Sequence, residues 1–131
     1  MTSTNTALFD RSLIVELSEL DNLPGKVVLV AVCEARVFEA NHIPGSVSIE
    51  PAELVSGQSP AVGKIPSAER LSALFSRIGL SPESHVVAYD DEGGGWAGRL
   101  IWTLDVIGHG RSSYLNGGLV AWLESGRPVQ T

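Results

Sequence analysis

Few side chains in this sequence are equipped for chemistry. Cys33 is the only thiol among 131 residues. A thiolate attacks electrophilic sulfur and carbon and binds soft metals, which makes Cys33 a candidate reactive thiol. It directly follows the unbroken apolar run Val27-Val28-Leu29-Val30-Ala31-Val32. In that setting a lone cysteine reads more simply as a small buried hydrophobe. The second feature is the loop Asp90-Asp91-Glu92-Gly93-Gly94-Gly95, which leads into Trp96 and Arg99. Three carboxylates beside three glycines fit an acidic turn that caps a helix. They fit a divalent cation less well, because glycine adds no side-chain oxygen. An anionic substrate would meet like charge there, at about 1 kcal/mol per close pair even in water.

His42 precedes Ile43-Pro44-Gly45. It is either a general base or, as we prefer, a ring bonded to backbone that holds a turn. His85 and His109 stand alone without ligand-like spacing, so no metal site is expected. Trp96, Trp102 and Trp122 fall at helical positions expected to face a sheet, with Trp96 opening its helix beside the acidic loop. Arg99 reads as a helix-surface or loop-anchoring cation. Gly117-Gly118 permits close backbone approach.

These residues need a frame. Residues 27–32 are apolar without alternation, the pattern of a strand buried on both faces of a parallel sheet, and residues 85–89 read as the next buried strand. Shorter strands are expected at 12–16, 46–49 and 112–115. One or two helical turns are expected at 18–23 and a short helix at 34–40. Residues 51–66, with three prolines, read as a surface loop. Ser67 is expected to cap a helix to Ile78 whose apolar face is Leu71, Leu74, Phe75 and Ile78. A second helix carries Trp96, Leu100, Ile101, Leu104 and Ile107, and a last one spans 119–124. Alternating strands and helices predict an α/β domain with a mostly parallel sheet of about five strands flanked by helices on both faces. A site in such a fold lies beyond the carboxyl ends of the strands, so the loops after Val32 and Tyr89 are the places to look.

Composition narrows the function classes. The length fits one domain, with a tail at 1–8 and the fold at 9–131. Hydrophobic residues make up 44%, enough for a packed core, and the formal net charge of −6 disfavours nucleic acid and anionic membrane as partners. The first residues lack the charged and apolar regions of a signal peptide, and no apolar run reaches membrane-spanning length. A lone cysteine excludes an intramolecular disulfide. A cytoplasmic protein without cofactor is the expectation.

Three stretches resemble the rhodanese family. The first is Phe38-x-x-x-His42-Ile43-Pro44-Gly45-Ser46, where the family usually ends in alanine. The second is Val86-Val87-Ala88-Tyr89-Asp90 followed by Trp96-Ala97-x-Arg99-x-x-Trp102-x-Leu104. The third is Gly108-His109 with Leu115-Asn116-Gly117-Gly118-Leu119-x-Ala121-Trp122-x-x-x-Gly126-x-Pro128-Val129. The likeness runs from about Leu13 to the end. It implies a rhodanese-like three-layer sandwich. Its details are similar to the N-terminal, non-catalytic half of two-domain thiosulfate and 3-mercaptopyruvate sulfurtransferases, and the chain's end at Gln130-Thr131 falls where their interdomain linker would begin.

In that family a loop cysteine attacks the outer sulfur of thiosulfate and becomes a persulfide. The resemblance places Asp90 at that cysteine's position. It also leaves Ala31 and Cys33 where catalytic domains often carry Asp and Arg. The implied reading is a pseudo-active loop of Asp90, Asp91, Glu92, Gly93, Gly94, Gly95, Trp96 and Arg99, with no catalytic residue. Its implied partner is a catalytic rhodanese domain, in the same polypeptide or a partner chain. The alternatives are a stand-alone degenerate rhodanese acting as a binding or regulatory module, and an enzyme that uses Cys33. A Cys-x5-Arg phosphatase is excluded by spacing. If the chain is half of a larger enzyme, an exposed apolar patch including Trp96 or its neighbours is expected near the loops.

Overall fold

The structure is a computed structural model that describes residues 13–131. The expected tail at 1–8 and the start of the first strand at Ser12 lie outside the described residues. Five strands form one sheet: β1 (Ile14–Val15), β2 (Val27–Val32), β3 (Val47–Ile49), β4 (His85–Tyr89) and β5 (Ser112–Leu115). Their order is β1-β5-β4-β2-β3 and every pairing is parallel. Among the described residues lie the α-helices α1 (Ala35–Ala40), α2 (Ala68–Arg77), α3 (Gly95–Val106) and α4 (Gly118–Glu124). A 3-10 helix spans Leu17–Asn22, stopped by Pro24-Gly25.

The alternation of β2 and β4 splits the core in two. Val30, Val32, Val86 and Ala88 face α2 and α3, meeting Leu71, Leu74, Phe75, Leu100 and Leu104. Ala31, Cys33, Val87 and Tyr89 face the opposite side, meeting Ile43, Leu119 and Trp122. Both faces of the central strands are therefore covered, which explains their unbroken apolar sequence. The result is the three-layer α/β architecture expected from the pattern.

Local chemistry sets the helix starts. Ser67 Oγ accepts the Arg70 N–H at 3.2 Å and caps α2. Three expectations need correction. Residues 51–66 are not all surface loop: Pro51–Leu54 is a 3-10 helix and Leu54 is fully buried. A capping box between Glu50 and Glu53 starts that turn, a signal hidden by the prolines nearby. Trp102 does not face the sheet and is 49% exposed. At about 100° per residue it sits roughly opposite the buried Leu100 and Leu104. Ile107 lies just past the end of α3 and is likewise exposed. Among the described residues no helix is long and apolar enough to cross a membrane.

Candidate functional site

The parallel sheet brings Cys33, Glu34, Glu50, Asp90 and Asp91 to one edge, each at or just beyond the carboxyl end of its strand. Asp90 leaves β4 and is 3% exposed. Its carboxylate turns back into the loop. Oδ1 accepts the N–H of Glu92 at 3.0 Å and of Gly94 at 2.9 Å, and Oδ2 accepts the N–H of Ala97 at 2.8 Å. Ala97 is the third residue of α3, so its N–H has no partner within the helix. Gly94, the residue before α3, has φ +105° and no side chain to cap with, and Asp90 performs the capping from a distance. The sequence reading of a helix-capping acidic turn holds in part. The turn caps, but its first carboxylate is buried rather than solvated.

The main chain of Asp90 is also engaged. Its carbonyl accepts the Leu119 N–H at 3.1 Å, tying the loop to the start of α4. A Cβ on Gly118 would lie 2.6 Å from that oxygen, so the tight approach requires glycine. Asp91 is half-buried and Glu92 exposed, and Glu92 joins the Asp90 network through its backbone N–H. Trp96 is half-buried and packs on the α2–α3 side of the core. The exposed apolar side chains of α3 are Trp102 and Val106.

Arg99 points away from the carboxylates. Its guanidinium donates to the Leu54 and Gly63 carbonyls at 3.0 and 2.8 Å and stacks over the Trp102 ring at 4.8 Å. It anchors the 51–66 segment to α3. Cys33 is 5% exposed. Burial, and then the charges of Asp91, Asp90, Glu50 and Glu34, push its thiol up to about 11 from 9.0. At neutral pH only about one molecule in 10⁴ carries the thiolate, so it is a poor nucleophile.

None of the histidines reaches this edge through its ring. His42 stacks on Phe38 at 3.8 Å, and its Nδ1 lies 2.8 Å from the Phe38 carbonyl. His85 Nε2 lies 2.6 Å from Ser113 Oγ and His109 Nε2 lies 2.9 Å from the Ser84 carbonyl. Burial, then Arg111 and His109, holds the His85 ring below its ordinary titration range. Among the described residues no three His, Cys, Asp or Glu side chains converge as a metal site.

Two tyrosines escaped the sequence reading. Tyr89 Oη, fully buried, accepts the Ile43 N–H at 3.1 Å and lies 2.8 Å from Ser46 Oγ. A hydroxyl closing an otherwise apolar buried strand was the available signal, because a buried tyrosine needs a partner. Tyr114 crowds the loop from β5, and a Cβ on Gly94 would lie 3.1 Å from its Oη. Burial and the charge of Asp90 raise its titration.

Residues 16–125 match the rhodanese-like domain family. The chain is 50% identical over 104 residues to the thiosulfate sulfurtransferase of Azotobacter vinelandii, covering 79% of this chain and 38% of that protein. It is 47% identical over 116 residues to the thiosulfate sulfurtransferase of Pseudomonas aeruginosa, covering 87% and 43%. The chain thus spans about two fifths of these relatives. Among solved structures, a 3-mercaptopyruvate sulfotransferase from Escherichia coli superposes with a TM-score of 0.75 at 23% identity, covering 89% of this chain and 50% of that one.

Proposed function

Because the chain belongs to the rhodanese-like domain family, we propose that it is a non-catalytic rhodanese domain that supports a cysteine-bearing one. In this reading it is the N-terminal half of a thiosulfate sulfurtransferase, stabilising the catalytic half and helping to shape its pocket. One observation carries the proposal: Asp90, which the resemblance places at the family's nucleophile position, has its carboxylate buried and accepting the Glu92, Gly94 and Ala97 amides. A carboxylate cannot become a persulfide. The donors that would stabilise a thiolate or a substrate oxyanion are already engaged. The other thiol candidate, Cys33, is buried and protonated. The short coverage of the two bacterial relatives is consistent with a domain of a longer enzyme. A reducing, cytoplasmic setting suits its free thiol.

Two measurements test this. The isolated chain should give no thiocyanate from thiosulfate and cyanide above background. Thiocyanate production that vanishes in Cys33→Ala would overturn the non-catalytic assignment. A chimera in which this chain replaces the matched 104-residue stretch of the Azotobacter enzyme should retain sulfurtransferase activity. A folded chimera without activity would count against the supporting role.

A further inference from the structure

The end of the chain folds back onto both neighbours of the Asp90 loop. Gln130 forms a two-way backbone bridge with His42, each N–H donating to the other carbonyl at 2.9 Å, and its Oε1 accepts the Gly45 N–H at 3.2 Å. The turn so held supplies Ile43 and Ser46 to the hydroxyl of Tyr89, the residue before Asp90. Two positions earlier, the Pro128 carbonyl accepts the Trp122 indole N–H at 2.8 Å. Trp122 belongs to α4, whose Leu119 N–H donates to the Asp90 carbonyl. Between these anchors Val129 packs against the core cluster that holds Ile43, Tyr89 and Trp122.

We propose that residues 128–130 are a conformational clasp, which holds the Asp90 loop in its carboxylate-filled form from two sides. One arm acts through the His42–Ser46 turn and Tyr89, the other through α4. Gln130 is exposed, and exposed backbone bonds open far more readily than the global fold. The clasp is therefore the weak point through which a displacement of residues 128–130 reaches the loop. Anything that draws residues 128–130 away frees the turn and α4 together, and the loop loses both supports.

Amide hydrogen exchange by NMR on the full chain tests the coupling. Val129→Asp would expel the clasp by placing a charge in the core. Gln130→Pro is milder: it removes the N–H that donates to His42 and the Oε1 that accepts the Gly45 N–H, and leaves Val129 in place. In both, the Glu92, Gly94 and Ala97 amides should exchange roughly ten-fold faster or more, while α2 amides such as Leu74 and Phe75 keep their rates. Faster exchange at His42 with unchanged loop amides would overturn the proposal. So would a parallel acceleration of all amides in Gln130→Pro, which would make residues 128–130 a general stabiliser of the fold.

Discussion

If the Asp90 carboxylate holds the loop together, removing its charge should cost stability in an ordered way. The residue is 3% exposed and accepts three backbone N–H bonds. A hydrogen bond to a charged group contributes about 1.5–3 kcal/mol, and a buried donor left unpaired costs about 1–3 kcal/mol. The losses do not add fully, because a loop at the sheet edge can relax and admit water. For Asp90→Ala we expect a loss of about 3 kcal/mol. Asp90→Asn keeps an oxygen for the Glu92 and Gly94 amides but turns an amide donor toward the Ala97 N–H. That donor-to-donor contact, with the lost charge, should cost roughly 2 kcal/mol.

For a chain of this size each kcal/mol moves Tm by roughly 3–5 °C, so Asp90→Ala should melt about 10 °C lower and Asp90→Asn about 7 °C lower. Calorimetry and urea unfolding, with Cys33 kept reduced, would read both. Exchange of the Ala97 amide should rise in each variant. Variants within about 0.5 kcal/mol of the parent would refute the reasoning, since surface substitutions routinely fall in that range. An Asp90→Asn variant less stable than Asp90→Ala would be equally informative, because it would show that water fills the loop better than a mismatched amide.

Other expectations follow from the same geometry. Cys33, with its thiol pushed up to about 11, should react with iodoacetamide at pH 8 roughly 100-fold more slowly than an ordinary thiol near 9; a rate matching a free cysteine would contradict its burial. Asp90→Cys should be alkylated faster than Cys33, because three amides favour its thiolate, yet gain little persulfide from thiosulfate against Asp91 and Glu92; abundant persulfide by mass spectrometry would show that the acidic loop does not repel the donor. Gly118→Ala, at φ +56° and 2.6 Å from the Asp90 carbonyl, should destabilise by about 2–3 kcal/mol, and a neutral effect in urea unfolding would mean the contact yields freely. The depressed His85 titration contributes stability that is present above 6.5 and lost as pH falls below it, and His85→Gln should flatten that acid limb. The raised Cys33 contributes in the opposite sense: its share is present below 9.0 and lost as pH rises toward 11, so Cys33→Ala should flatten the alkaline limb.

The central strands were legible in the sequence because burial on both faces leaves a simple mark. Residues 27–32 carry apolar side chains without alternation and residues 86–88 repeat the pattern between His85 and Tyr89, and these runs are the cores of β2 and β4. The Ser67 cap and the Leu71, Leu74 and Phe75 face marked α2 in the same way. Edge elements were less legible, since β1 has two residues and β3 three, and pairing rather than pattern defines them. Trp102 shows the limit of reading residue type alone. Its size argues for the core, but its angular position on α3 and the Arg99 guanidinium beside it place it in solvent. The Tyr89 hydroxyl and the Gln130 bridge join positions more than 40 residues apart, and no local pattern announces such contacts.

In the reading proposed above, the loop shows how the fold is kept without a thiolate at this turn. A strand-to-helix turn that curls around one point leaves backbone N–H groups aimed at that point, and buried donors must be satisfied. A thiolate or a bound oxyanion can satisfy them. A carboxylate one methylene from the main chain does so permanently. Asp90 reaches three donors with two oxygens, while its own carbonyl secures α4. In the proposed reading, the residue that stands in place of a nucleophile is also the one that holds the loop together. The same argument explains why Cys33 is no substitute. It lies on the same acidic edge but inside the core, where burial and the charges of Asp91 and Asp90 both oppose its ionisation. The carboxylates of Glu34, Glu50, Asp91 and Glu92 leave this edge acidic, and the supporting role proposed above would use it to position a neighbouring reactive group rather than to supply one.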